Sequence, residues 1–108
     1  MSAPSTFGQQ ISQKRKQLEM SQKELASRVK REDGEPISPQ YLNDIEHDRR
    51  SPSSDLMVRQ FATVLDLNPD YLFYLAGKFP TDVTERNLPP EKVQQALVAF
   101  RKALDQKK

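Results

Sequence analysis

Met20-Ser21-Gln22-Lys23-Glu24 is a helix start written out in full. Ser21 is placed to accept from the free N–H groups of the first turn. Glu24 can reach back from three positions on, and Met20 sits where a hydrophobic residue packs ahead of the cap. The helix it opens runs from Gln22 to about Lys30, with Leu25, Ala26 and Val29 on its apolar face. Ala26 is small enough to let a second helix approach closely. The punctuation downstream is of the same kind. Ser38 is an N-cap and Pro39 takes the first helical position, where its missing N–H costs nothing. Ser54 or Asp55 caps a further helix, and Asn68-Pro69 opens another that Gly77 stops.

Between these marks the apolar residues keep helical spacing. A first helix starts at Ser5 or Thr6 and runs to about Glu19, with Phe7, Ile11, Leu18 and the stem of Lys14 along one stripe. The third helix, from Pro39 to about His47, buries Leu42 and Ile45. The fourth ends near Leu65 and buries Val58, Phe61, Ala62 and Leu65, with Leu67 tucked behind. The fifth, Asp70 to Ala76, is dense in large side chains: Tyr71, Leu72, Phe73, Tyr74 and Leu75. Lys78 to Pro90 has three prolines and no helical period, and reads as a linker in which Leu88 is the one anchor. Pro89-Pro90-Glu91 then opens a last helix to about Gln106. Its Val93, Leu97, Phe100 and Leu104 form a heptad-like seam. Arg101, Lys102, Lys107 and Lys108 near its end suit the helix dipole.

Composition removes several classes of function. With 108 residues the chain is one domain with an extension, and about a third of it is apolar. There is no cysteine, which excludes disulfides and thiolate metal sites and fits a reducing cytoplasm. The first residues have neither a basic region nor an apolar run, so no signal peptide is expected. No apolar stretch reaches ~18 residues, and no membrane span is expected. Residues 1–79 hold eleven Lys/Arg and eleven Asp/Glu. Any affinity for nucleic acid must therefore come from local clusters: Lys14-Arg15-Lys16, Lys30-Arg31 and Arg49-Arg50.

The stretch Ile37 to Ser51 carries the chemistry. With Leu42 and Ile45 turned inward, Gln40, Tyr41, Asn43 and Asp44 are left on the outer faces. Amides, a phenol and a carboxylate on one short helix are what reading base edges in a DNA groove requires. They are equally what a solvated surface helix carries, and the stretch alone does not separate the two.

Four pieces in order resemble the lambda-repressor-like, or Cro/C1-type (XRE), transcriptional regulators, over roughly residues 7–77. Ile11 to Arg15 followed by Met20-Ser-Gln-Lys-Glu-Leu-Ala26 is similar to that family's first helix and the start of its second. Ile37-Ser-Pro-Gln-Tyr-Leu-Asn-Asp-Ile-Glu46 resembles its recognition helix, and His47-Asp-Arg-Arg-Ser-Pro-Ser53 the exit that follows. Phe61-Ala-Thr-Val-Leu-Asp-Leu67 through Leu72 resembles its fourth and fifth helices. The resemblance implies an all-α, compact five-helix helix-turn-helix domain over residues 1–78. A linker, 79–90, and a C-terminal amphipathic helix, 91–108, complete the chain.

The resemblance also implies roles. Ser38, Gln40, Tyr41, Asn43 and Asp44 would face the major groove, and Gln22, Lys23, Arg49, Arg50 and Ser51 would hold phosphates. Arg15 and Glu46 would pair as a scaffold element. Two departures stand out. The turn from Lys30 to Ile37 is about six residues longer than the family's. It either splays the two helices, forms a wing touching DNA through Lys30 and Arg31, or is a solvent-exposed loop pointing away, which Glu32, Asp33 and Glu35 favour because they would repel phosphate. Asp48 stands where the family often has Gly, at a position asking for a left-handed backbone.

His47 is the only histidine and has no neighbouring ligand set in the sequence, so a surface histidine is expected rather than a metal site. No Gly-rich phosphate loop, nucleophile set or zinc spacing is present, so neither an enzyme nor a cofactor is implied. The last helix either folds back on its own domain or pairs with a second copy through Val93, Leu97, Phe100 and Leu104. The resemblance favours pairing. The expected function is a cytoplasmic, sequence-specific regulator binding double-stranded DNA, as a homodimeric repressor of a palindromic operator. The alternative is an antitoxin or adaptor whose C-terminal helix binds a protein partner.

Overall fold

A computed structural model describes residues 6–106. Among them are seven helices: α1 (Phe7–Gln17), α2 (Gln22–Arg28), α3 (Pro39–Glu46), α4 (Asp55–Leu65), α5 (Pro69–Leu75), α6 (Thr81–Thr84) and α7 (Pro90–Asp105). The expectations for residues 1–5, and for Lys107 and Lys108, lie outside the described residues.

Each of the first five helices is opened by a side chain that accepts a backbone N–H. Thr6 accepts from Gln9, Ser21 from Glu24 and Ser38 from Tyr41, each at 3.0 Å. Ser54 accepts from Met57 and Asn68 from Tyr71, each at 3.2 Å. A cap of this kind is worth about 1 kcal/mol. The box at Ser21 closes on one side only. The Glu24 carboxylate turns to Arg28, four residues on, at 2.8 Å, instead of reaching back to Ser21.

The apolar faces meet in one core. α1 and α2 pack on α3, and α4 packs on α1 and α5. Ile11, Leu25, Val29, Leu42, Ile45, Val58, Phe61, Leu65 and Leu72 are fully buried. The Phe7 ring meets Phe61 edge-on, with centroids 5.9 Å apart. Ala26 is buried on α2, the helix that packs on α3, as its small size predicts.

Several boundaries differ from the sequence expectation. α1 ends at Gln17, two residues short of Glu19. Glu19 is left-handed (φ 59°), so the chain turns away and Leu18 is 43% exposed instead of joining the stripe. Met20 takes the buried place. α2 ends at Arg28, before Lys30. α5 starts at Pro69 and stops at Leu75, with Ala76 as its cap and Gly77 left-handed beyond it. The segment read as linker contains one helical turn, α6. The Thr81 hydroxyl donates to Asp55 Oδ2 at 2.6 Å and Lys78 Nζ lies 3.3 Å from Asp55 Oδ1. The Thr81 hydrogen bond first, and Lys78 second, hold the Asp55 carboxyl below its ordinary value. These partners are set by tertiary position, which hydrophobic periodicity does not report.

The long turn between α2 and α3 does not splay the two helices. Ile37 N–H donates to the Val29 carbonyl at 2.9 Å, and Arg31 N–H to Glu35 at 2.8 Å. The extra residues are shed as a small hairpin whose tip is left-handed Gly34 (φ 86°). Gln60 of α4 pins its base: Oε1 accepts from Lys30 N–H at 2.7 Å and Nε2 donates to the Lys30 carbonyl at 2.8 Å. At the tip Arg31 pairs with Asp33 at 2.8 Å. The Glu35 N–H, and then Arg31, hold the Asp33 carboxyl below its ordinary value.

α7 stands apart from this core. No residue of it is buried, and the extensive helix–helix packing all lies within α1–α5. Phe100 is 49% and Leu104 66% exposed. Leu88 is half-buried, consistent with an anchoring place for the segment before it.

Candidate nucleic-acid interface

α3 is held from behind by one buried ion pair. Arg15 Nε donates to Glu46 Oε2 at 2.7 Å and Arg15 Nη2 to Oε1 at 3.0 Å. Arg15 Nη1 donates to the Met20 carbonyl at 2.8 Å, so the guanidinium also fixes the loop into α2. This is the pairing that the resemblance implied. Taking two charges out of water is costly unless geometry is bidentate and further hydrogen bonds are made, and both conditions are met here.

Glu46 passes the restraint outward. Gln22 Nε2 donates to Glu46 Oε1 at 3.0 Å and to Asn43 Oδ1 at 3.1 Å. The first residue of α2 is thereby tied to the outer face of α3. An amide that reads a base must be held in one rotamer, and a neighbour's hydrogen bond does this at no cost when the ligand arrives. Of the residues expected on the reading face, Asn43, Tyr41 and Asp44 are half-buried, while Ser38 and Gln40 are exposed. Gln40 Nε2 donates to Asp44 Oδ1 at 3.1 Å.

The exit from α3 folds back onto this face. Arg49 Nε lies 3.2 Å from Asp44 Oδ1, and Arg50 Nε 3.8 Å from Oδ2. The Arg50 guanidinium also lies over the Tyr41 ring, 5.3 Å from its centroid, a cation–π arrangement. Lys23 and Ser51 are exposed. Gln22 and Arg49-Arg50 are thus brought to the same helix as the base-reading candidates, although they lie far apart in the chain. Val93, Leu97, Phe100 and Leu104 are on α7 and belong to a separate surface.

Two roles in the site's frame have no mark in the sequence. Asp48 is left-handed (φ 60°), as the matching glycine position asks, but its carboxylate does further work. Oδ2 accepts from the Thr6 hydroxyl at 2.7 Å and Oδ1 from Gly8 N–H at 3.1 Å. The exit loop of α3 therefore caps α1, which carries Arg15. Gly8 supplies the second. A Cβ there would stand 2.3 Å from the Ile45 carbonyl oxygen and 2.7 Å from that of Glu46. No local sequence signal marks either role.

Among the described residues no group of three or more His, Cys, Asp or Glu is placed to hold a metal ion. His47 caps α3, its Nδ1 2.9 Å from the Asn43 carbonyl. An open depression of about 520 Å³ lies between α4, α5 and the start of α6, lined by Arg59, Asp66, Asp70 and Phe73 among others. None of the reading-face residues borders it. No helix among the described residues is long and apolar enough to cross a membrane.

A helix-turn-helix family model matches residues 11–72. Among solved structures, a complex of the SinR and SinI proteins is similar, at 27% identity and a TM-score of 0.50, over 93% of this chain and 92% of that one. No curated protein matches.

Proposed function

This chain belongs to the helix-turn-helix family of DNA-binding transcription regulators, of the lambda-repressor-like, XRE type, and we propose that it acts in the cytoplasm as a homodimeric repressor of a palindromic operator. The observation that carries the reading is the locked polar face of α3. Arg15, Glu46 and Gln22 hold Asn43 in place, and Arg49 and Arg50 flank it. Ser38, Gln40, Tyr41, Asn43 and Asp44 enter the major groove. Gln and Asn suit adenine, and a carboxylate suits the amino group of cytosine. Gln22, Lys23, Arg49, Arg50 and Ser51 take the phosphates on either side. No catalytic step is assigned to any residue.

Alanine at Asn43 or Gln40 is expected to relax base preference by about 1–3 kcal/mol for each bidentate hydrogen-bond pair removed. Alanine at Arg50 is expected to weaken binding to the selected duplex and flatten its salt dependence. Random-sequence selection followed by salt titration on the selected duplex measures both. Unchanged preference in Asn43→Ala and Gln40→Ala would mean that the reading face lies elsewhere.

Two copies are needed to read two half-sites about 34 Å apart. The seam of α7 supplies the joining surface: Val93, Phe100 and Leu104 are exposed and Leu97 is half-buried, and their burial between copies offsets the cost of association. Charge at the centre of the seam, Leu97→Asp with Phe100→Glu, is expected to convert the dimer to monomer in sedimentation at micromolar concentration. It is expected to weaken operator binding at least ten-fold, since each half-site is then bound alone. A wild-type chain that sediments as a monomer sinks the homodimer.

The same exposed seam favours a second reading, in which α7 binds a different protein, as an antitoxin or adaptor would. The structurally similar SinR is itself seen in complex with another protein, SinI. A tight heterologous partner together with no duplex preference in selection would favour this reading over the repressor.

A further inference from the structure

Asp44 is the single acidic side chain among the residues assigned to DNA contact. It sits amid them as a hub. Oδ1 accepts from Gln40 Nε2 at 3.1 Å and from Arg49 Nε at 3.2 Å, and Oδ2 lies 3.8 Å from Arg50 Nε. Its main-chain carbonyl accepts from the N–H groups of Arg49 and Arg50 at 2.8 and 3.3 Å. One residue therefore fixes the backbone of the arginine pair and also engages both guanidiniums. The carboxylate is 22% exposed, while the two arginine side chains are 56% and 60% exposed. The arginines can leave for an incoming anion without unfolding anything.

A carboxylate on a surface that must meet a polyanion is a liability unless it has a use. Two unpaired arginines at the helix exit would draw in any duplex, because counterion release does not depend on sequence. With Asp44 between them the cluster carries one net positive charge instead of two, and a phosphate must compete with the carboxylate for each guanidinium. A base that turns an amino group toward Asp44 offers the carboxylate a substitute partner. The arginines are then freed toward the flanking phosphates.

We infer that Asp44 is a latch: it holds Arg49 and Arg50 off the phosphates of random-sequence DNA, and so sets the ratio of cognate to non-cognate binding. The inference rests on reading α3 as the DNA-contacting helix. Asp44 acts here as a positioning residue through the two arginines.

Asp44→Asn keeps the side chain's shape and the main-chain carbonyl and removes the charge. Anisotropy titration of a fluorescent random-sequence duplex of about 25 bp, the span of two half-sites and their flanks, across a series of salt concentrations tests the latch. The variant is expected to bind it about ten-fold more tightly at low salt than the wild type. Its log–log salt slope should steepen by roughly 0.9 for each arginine released. In an Arg49→Gln/Arg50→Gln background, Asp44→Asn is expected to leave the slope unchanged and to tighten binding far less, since only direct repulsion of phosphate is then relieved, and an equal gain in both backgrounds overturns the latch. Unchanged or weaker random-duplex binding with an unchanged slope, in the otherwise wild-type chain, overturns the latch while leaving the interface standing. A wild-type chain with no salt-dependent duplex binding overturns the interface and the latch with it.

Discussion

Glu46→Ala is expected to destabilise this domain by about 3–5 kcal/mol, the cost of leaving one partner of a buried ion pair uncompensated. Arg15 is 9% exposed and meets both Glu46 oxygens. Removing the carboxylate strands a buried guanidinium that keeps only the Met20 carbonyl as an acceptor. Gln22 loses one of the two acceptors of its amide as well. Domains of this size have about 5–15 kcal/mol of stability in all, so the loss is a large part of the total. Thermal melting by circular dichroism should show a fall of roughly 20 °C. The charge argument makes a second, sharper demand. Arg15→Met together with Glu46→Leu removes both charges and fills the space, and is expected to recover a large share of the stability. If the double variant melts no higher than Glu46→Ala, the loss comes from packing or from the Met20 and Gln22 bonds, and not from a stranded charge.

Gly8→Ala is the second change expected to matter greatly, and its effect is steric. Gly8 lies in the first turn of α1, where α1 crosses the end of α3. The atoms that a methyl would meet are backbone oxygens of Ile45 and Glu46, at 2.3 and 2.7 Å, together with Asp48 Oδ1 at 2.7 Å. Backbone cannot rotate away as a side-chain tip can. α1 would have to move off α3, straining the Arg15–Glu46 bond and breaking the Asp48 cap. Overpacking costs up to about 3 kcal/mol, and the cap about 1 more. Chemical denaturation should show a midpoint well below wild type at an unchanged slope. A Gly8→Ala protein as stable as wild type would mean that α1 and α3 do not approach as closely as described. Because α1 and α3 share the frame of the reading face, duplex affinity is expected to fall with stability, and an Asp48→Ala protein to lose the cap and to add the strain of alanine in a left-handed conformation.

The helices were legible because their signals are local. Ser21, Ser38, Ser54 and Asn68 each cap the helix that they announce, since a side-chain oxygen reaches the N–H two or three residues on whatever surrounds it. Leu25, Leu42, Ile45, Phe61 and Leu65 are buried as their spacing predicts. Leu18 failed that test because the chain leaves the helix at Glu19 before the stripe is complete. α6 was missed because a single turn has no period to detect, and its hold on the fold is a bond to Asp55 from 26 residues away.

The reading face divides in the same way. That Gln40, Tyr41, Asn43 and Asp44 stand on the outside of α3 follows from helix geometry and from Leu42 and Ile45 alone. That Asn43 is held by Gln22, that Asp44 collects two arginines, and that the acidic hairpin hangs from Gln60 do not follow from any run of residues. The pairing of Arg15 with Glu46 was reached through family resemblance rather than through spacing.

The sequence by itself determined which residues cap the first five helices and, Leu18 apart, which apolar residues of each turn inward, because capping and periodicity act over a turn or two of chain. Only the tertiary structure decided that Gly8 must lack a side chain, that Asp48 caps α1, and that Asp44 sits between Arg49 and Arg50 beside the reading face. Those are distances between atoms brought together by packing, and a fraction of an ångström at a helix crossing has no signature in the order of residues.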